Sequence, residues 1–210
     1  MKNINFEKEL PTNHKQSMHI NAKNAKFGLI FNLISMLVFF LIGAIAFTSV
    51  LANESKKEEL IEDFYSQPLL FSLYAFLFIL SMLIYIILHE ITHGISYKIL
   101  TGEKLTFGMS WSCAFCGVPN IYVYRKTAII SSAAPLLIFT IILLPLSIAF
   151  YFINPMVYIL LMLLFGLHLG GCSGDFYVIL LLIFKFKDSK TLVRDTGPEQ
   201  FFYTPYQSKN

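Results

Sequence analysis

The chain has 210 residues, of which 56% are hydrophobic and only 14% are charged, and its formal net charge is +3. An average soluble domain is about a quarter charged, so the composition excludes an ordinary soluble protein and indicates a membrane protein with several spans. The odd number of cysteines argues against a disulfide framework, and the scattered basic residues give no reason to expect a nucleic acid partner.

Four apolar runs are long enough to cross about 30 Å of hydrocarbon, which takes roughly 20 residues in a helix. The predicted spans lie near residues 27–51, 69–100, 129–152 and 156–186. Asn154-Pro155 divides the last two, since proline and the residue before it disfavour a continuous helix. The glycine-rich run Gly170–Gly174 interrupts the last span. We therefore predict an all-α membrane protein with about four helices.

The remaining segments are predicted to be a polar tail at residues 1–26 and a second tail at 187–210, on either side of one membrane domain at 27–186. The first apolar run is longer than the apolar region of a cleavable signal peptide, and it begins later in the chain. With the N-terminus inside, 14 of the 16 lysines and arginines lie on the cytoplasmic side, and only Lys56 and Lys57 lie outside. This bias predicts a multi-pass protein of the plasma membrane, with the bilayer as a partner and both termini in the cytoplasm.

The longest segment between spans, the predicted cytoplasmic loop 101–126, alternates apolar and polar residues. The alternation runs from Leu105 to Trp111 and resumes at Ile121 and Val123, on either side of Gly117–Asn120. It predicts either a small β-hairpin around Gly117–Asn120 or an interfacial loop with Trp111 in an aromatic belt.

The second span ends in His89-Glu90-Ile91-Thr92-His93-Gly94. Residues four apart share one face of a helix, so His89 and His93 direct their imidazoles towards one point and form half of a Zn²⁺ site. Glu90 can then take a proton from water at the metal, as in the HExxH arrangement of zinc metallopeptidases. Ionisable residues within a span are costly unless they are paired, metal-bound or facing water, which favours a metal site over a chance match.

A catalytic zinc needs three protein ligands and one open position. Asp175 is the only other carboxylate within a predicted span. It lies ten residues before Lys185, and His89 lies nine before Lys98, so both are roughly 15 Å from the cytoplasmic ends of their helices. Equal depth predicts Asp175 as the third ligand, with a helix cap as the alternative.

Two residues compete with Asp175 for the third position. His168 and Cys172 lie seven and three residues before it and share its helical stripe if the helix is continuous. A polar contact between helices for His168, and packing for Cys172, are the alternatives. Cys113 and Cys116 form a lone CxxC pair with no second pair to complete a zinc site, and we assign it no role.

The motifs resemble those of a group of small bacterial membrane proteins, the Putative zincin peptidase family, and more distantly those of the site-2 intramembrane zinc metalloproteases. The matching elements are His89-Glu90-Ile91-Thr92-His93-Gly94, Phe107-Gly108, Ala133-Ala134-Pro135 and Ser173-Gly174-Asp175. The resemblance covers about Tyr85 to Phe186. It implies that His89, His93 and Asp175 bind the metal and that Glu90 is the catalytic base. The chain lacks the Asn-x-x-Pro motif of site-2 proteases, has Phe176 after the acid, and carries no PDZ-type insertion.

Together these features predict an integral membrane zinc metalloendopeptidase that cleaves a membrane protein or peptide near the cytoplasmic face. Glu90 would take a proton from water, and the resulting hydroxide would attack the scissile carbonyl before Glu90 protonates the leaving amine. The alternative is a non-catalytic metal-binding membrane protein, whether a transporter, a sensor or an inactive scaffold derived from a protease. The clustering of the ionisable groups at one depth favours catalysis over transport, because a transporter would show such groups along a pathway.

Overall fold

The computed structural model describes residues 5–110 and 114–206. Its α-helices are α1 (Ala25–Leu51), α2 (Glu54–Ser66), α3 (Pro68–Thr101), α4 (Arg125–Tyr151), α5 (Pro155–Gly171) and α6 (Ser173–Leu180). A π-helical segment, Leu181–Lys185, follows α6 directly. In the described chain, α1, α3, α4 and the run from α5 through the π-helix are long and apolar enough to cross a membrane. They lie within a few residues of the four predicted spans.

The boundary between the third and fourth spans lies where proline chemistry predicts it. Asn154 is the N-cap of α5, its side chain accepts a hydrogen bond of 2.9 Å from the amide of Val157, and Pro155 occupies the first turn. The last span is interrupted at Cys172, inside the predicted run Gly170–Gly174. A new helix therefore begins at Ser173.

The all-α prediction is wrong, because seven strands flank and separate the helices of the described chain. They are β1 (Phe6–Glu7), β2 (His14–Asn21), β3 (Thr106–Met109), β4 (Ala114–Gly117), β5 (Tyr122–Tyr124), β6 (Leu192–Asp195) and β7 (Glu199–Pro205). Five of them form an antiparallel sheet in the order β1-β5-β6-β7-β2. Four of these five strands come from the two terminal segments that were predicted as tails. Their pairing joins positions far apart in the chain, such as Phe6 and Val123, and no local sequence pattern predicts such pairs.

The other two strands, β3 and β4, pair with each other inside the segment 101–126. The predicted hairpin therefore exists, but it is not centred on Gly117–Asn120. That stretch instead ends β4 and leads into β5, which pairs with β1 and β6. Trp111 and Cys113 lie outside the described residues, so the aromatic-belt role of Trp111 stays a prediction.

The chain divides into two compact units. Of the described residues, the first contains 5–31, 87–110, 114–135 and 174–206, and the second contains 32–86 and 136–173. In the first unit, apolar side chains of the sheet such as Val193 and Phe202 pack with Tyr97 and Leu182. The second unit has its own apolar core of helical side chains, including Val50 and Phe165. The predicted single membrane domain at 27–186 stays a prediction.

Candidate metal centre

Three of the predicted site residues bring their donor atoms to one point in the first unit. Nε2 of His93 lies 3.2 Å from Nε2 of His89, and Oδ2 of Asp175 lies 3.3 Å from each of them. Both histidines are buried, and the Asp175 side chain is 20% exposed. The four-residue spacing in α3 and the start of α6 thus supply two nitrogens and one oxygen to the same place.

The spacing of these donors fits a tetrahedral zinc site. With metal–ligand bonds of about 2.0–2.1 Å, two ligands of a tetrahedral ion lie about 3.3 Å apart. All three separations here are 3.2 or 3.3 Å. Two imidazoles and one carboxylate are also a donor set found in catalytic zinc sites, which keep the fourth position for water. His89, His93 and Asp175 would therefore hold the ion.

The backbone of α4 orients one of the two imidazoles. His93 Nδ1 lies 2.8 Å from the carbonyl oxygen of Ser131 and is buried. A carbonyl only accepts, so Nδ1 carries the proton, and in the neutral ring Nε2 keeps its lone pair for the shared point. Ligating histidines commonly donate their other ring N–H in this way. The sequence could not identify this contact with Ser131, because any residue type supplies a backbone carbonyl.

Asp175 reaches the centre because the last span breaks just before it. It is the third residue of α6, in the first turn, where the helix dipole favours a negative side chain. The break that puts it there follows from the glycines around Cys172. Asp175 therefore lies near a helix terminus and also approaches the two histidines.

Glu90, the predicted base, follows His89 directly on α3 and is only half-buried, unlike the two histidines beside it. Its place directly after the first histidine is the one that the HExxH arrangement gives to the general base. The next residue after the motif, Gly94, is closely covered by the β3 region. A Cβ atom added at Gly94 would lie 2.6 Å from Cζ of Phe107 and 3.1 Å from Cδ1 of Leu105. The glycine therefore allows β3 to pack beside the HExxH turn.

His168 and Cys172, the rival ligands, belong to the second unit. The ring of His168 is fully buried, with Nδ1 2.9 Å from the hydroxyl of Tyr85 and Nε2 3.0 Å from that of Thr140. Sγ of Cys172 lies 3.6 Å from the same Nδ1. These contacts favour the interpretation of His168 as a polar contact between helices.

Sequence reasoning missed a second polar group of the first unit, formed by Tyr97 and Asp195. The hydroxyl of Tyr97 donates a 2.8 Å hydrogen bond to Asp195 Oδ2, and both residues are buried. Asp195-Thr196-Gly197-Pro198 forms the turn between β6 and β7, and the positive φ of Gly197 favours glycine there. This turn signature was the available signal for the strand pair.

Cys116 lies on β4 and is also buried. Burial raises the pKa of its thiol to about 12, with the carboxylate of Asp195 acting in the same direction. A thiol with so high a pKa is a poor nucleophile and a poor metal ligand at neutral pH. Its predicted partner in the CxxC pair, Cys113, lies outside the described residues.

A family model described as "Putative zincin peptidase" matches residues 82–190, just over half of the chain. The matched region contains His89, Glu90, His93 and Asp175. No curated protein and no solved structure matches the chain.

Proposed function

Because the chain belongs to the Putative zincin peptidase family, we propose that it is an integral membrane metallopeptidase that uses zinc to hydrolyse peptide bonds. The observation that carries this proposal is the convergence of His89, His93 and Asp175 at separations of 3.2–3.3 Å, next to Glu90. Two nitrogens and an oxygen at this spacing match the ligand set and the tetrahedral edge of a catalytic zinc site.

The chemistry divides between the metal and the protein. His89, His93 and Asp175 would hold the zinc ion, whose Lewis acidity would make water more acidic and polarise the scissile carbonyl. Glu90 accepts the proton of the attacking water and later delivers it to the amine of the leaving peptide. The carbonyl of Ser131 holds the ring of His93 in one tautomer through its hydrogen bond to Nδ1.

The substrate is an extended segment of a membrane protein or peptide that adds to β3. Within the described residues β3 pairs with β4 only, and its residues Phe107 and Met109 are 51% and 74% exposed. The contact between Phe107 and Gly94 places this strand beside the HExxH turn. Strand addition would supply main-chain hydrogen bonds and hold the peptide unwound. The peptide bond of a helical substrate would otherwise be shielded by its own turns.

The centre would lie towards the cytoplasmic side of the plasma membrane. Among the described residues, the first unit contains 12 of the 14 lysines and arginines, together with one end of each helix that can span a membrane. The positive-inside rule assigns such an end to the cytoplasm. In this arrangement the likeness to site-2 proteases would extend to cleavage within the membrane.

Exchange of Glu90 for glutamine tests this function directly. Zinc-loaded, detergent-purified wild type should cleave a mixture of quenched fluorogenic peptides, and Glu90→Gln should lower the rate about 10²- to 10⁴-fold while it retains zinc. Glu103→Gln is the matched control, since Glu103 is a carboxylate of the same unit whose ion-pair contact is with Lys8 at 4.0 Å. Equal rates for Glu90→Gln and wild type, or no cleavage by zinc-loaded wild type, would favour a metal-binding protein without turnover.

A further inference from the structure

Asp195 is a buried carboxylate at the end of β6, with 4% of its surface exposed. Its Oδ2 accepts hydrogen bonds from Tyr97 at 2.8 Å and from the side-chain amide of Gln200 at 3.2 Å, and its Oδ1 accepts one from the amide of Gly197 at 2.9 Å. In the described part of the chain, no lysine or arginine is in ion-pair contact with it. The carboxylate is thus hydrogen-bonded but has no cation to balance it.

Such a group is costly to retain for stability alone. A buried charge without an opposite charge keeps an uncompensated desolvation penalty even when it is hydrogen-bonded. The group is also incompletely satisfied, because Oε1 of Gln200 is buried and has no hydrogen-bond partner among the described residues. Buried ionisable groups of this kind concentrate at functional sites, where a nearby cation balances their charge.

The side chain that binds Asp195 stands on the metal-ligand helix. Tyr97 follows His93 by four residues, so His89, His93 and Tyr97 form one stripe along α3. One helical turn separates Tyr97 from His93, about 6 Å along the axis. Asp195 therefore anchors the stripe that carries both histidines, and it brings a negative charge to that face of the helix.

We propose that Asp195, acting through Tyr97, is a positioning residue of the metal centre that increases its affinity for a divalent cation. The hydrogen bond fixes the turn of α3 after His93, and the carboxylate adds attraction for the cation that the ligand set itself does not provide. This inference rests on the proposed zinc site but extends it to the strand pair β6–β7. Residue 195 lies outside the region matched by the family model, which ends at 190.

The test is competition for the metal between full-length, detergent-purified protein and a chelator. Zinc-loaded Asp195→Asn should release half of its zinc at a chelator concentration about 10- to 100-fold lower than wild type, the loss typical of residues that support metal ligands. Tyr97→Phe should shift the release in the same direction and carries the test if Asp195→Asn does not fold. In the Co²⁺-loaded protein, both changes should alter the visible absorption of the metal, because they loosen the geometry of the ligands.

A second tyrosine–carboxylate pair of the same sheet provides the matched control. The hydroxyl of Tyr124 donates a 2.6 Å hydrogen bond to Oε1 of Glu7, between β5 and β1. Tyr124→Phe and Glu7→Gln should leave zinc release and the Co²⁺ spectrum unchanged. A purely structural role of Asp195 predicts a lower melting temperature of the metal-free protein with wild-type zinc release, and that result would overturn the inference alone. A wild type that binds no zinc would overturn both the inference and the proposed function.

Discussion

At the scale of single residues, the centre is defined by an excess of lone pairs. His93 donates its Nδ1–H to the carbonyl oxygen of Ser131, and a carboxylate such as that of Asp175 can only accept hydrogen bonds. The atoms that face one another are therefore two imidazole nitrogens and one carboxylate oxygen. Such a set needs a proton or a metal ion between its lone pairs, and either the ring proton of His89 on Nε2 or a bound cation supplies it. The HExxH context favours the metal.

Asp195 gives a prediction for the dependence of stability on pH. Burial raises the pKa of this carboxyl to about 6, although hydrogen bonds from Gly197, Tyr97 and Gln200 act in the opposite direction. An unfolded Asp has a pKa of about 3.9, so the folded protein holds the proton more tightly. The proton on Asp195 therefore stabilises the folded state below about pH 4, and this contribution is lost as the pH rises through about 6.

Comparison with Asp195→Asn isolates this effect, because the variant cannot titrate at position 195. Between pH 4 and pH 7.5, the free energy of unfolding of wild type should fall, relative to the variant, by on the order of 3 kcal/mol. Cys116, whose pKa is about 12, stays neutral over this range. Thermal melting of both metal-free proteins in detergent at the two pH values measures the difference. If wild type and Asp195→Asn differ in stability by the same amount at both pH values, the prediction is contradicted.

At the scale of elements, sequence reasoning predicted the helices well and the sheet poorly. Uncharged apolar runs and the Asn154-Pro155 pair are local signals, so α1, α3, α4 and the fourth span could be placed within a few residues. The equal-depth argument also predicted the approach of Asp175 to His89, because helix rise converts sequence distance into depth. These predictions needed no knowledge of tertiary pairing.

The strands could not be predicted in the same way. β1 has two residues, and β2 (His-Lys-Gln-Ser-Met-His-Ile-Asn) is mostly polar, so neither shows a strong apolar alternation. β2 gains its partner only at the other end of the chain, where Ile20 pairs with Gln200. Gly117, expected near the tip of a hairpin, instead lies against the backbone of Gly197. Such long-range contacts decide strand identity and are not encoded locally.

Two neighbouring glycines at the end of α5 give a prediction for helix packing. A Cβ atom at Gly170 would lie 2.6 Å from the carbonyl oxygen of Ser35 in α1, whereas one at Gly171 would meet nothing within 4 Å. Gly170→Ala must therefore push two backbones apart and should lower the melting temperature in detergent, at a cost of about 1–3 kcal/mol. Gly171→Ala is the matched control and should be neutral or slightly stabilising. Equal effects of the two changes would contradict this packing.

At the scale of the whole molecule, the charge distribution predicts the orientation of the chain in the membrane. Lys56 and Lys57 of α2 are the only lysines or arginines of the second unit, and the other 12 among the described residues belong to the first. Glu58→Cys, on exposed α2, should react in intact cells with a maleimide that cannot cross membranes. Glu9→Cys should react only after the membrane is opened, and wild type measures the background of native cysteines. The reverse labelling pattern would place the first unit outside.

The central claim is that one zinc ion is held by His89, His93 and Asp175. The most direct measurement is the zinc content per chain of purified wild type, Asp175→Ala and His168→Ala. We expect about one zinc in wild type, little in Asp175→Ala, and wild-type content in His168→Ala, since the ring nitrogens of His168 contact the hydroxyls of Tyr85 and Thr140. Zinc that survives in Asp175→Ala but is lost in His168→Ala, or a wild type that binds none, would contradict the account.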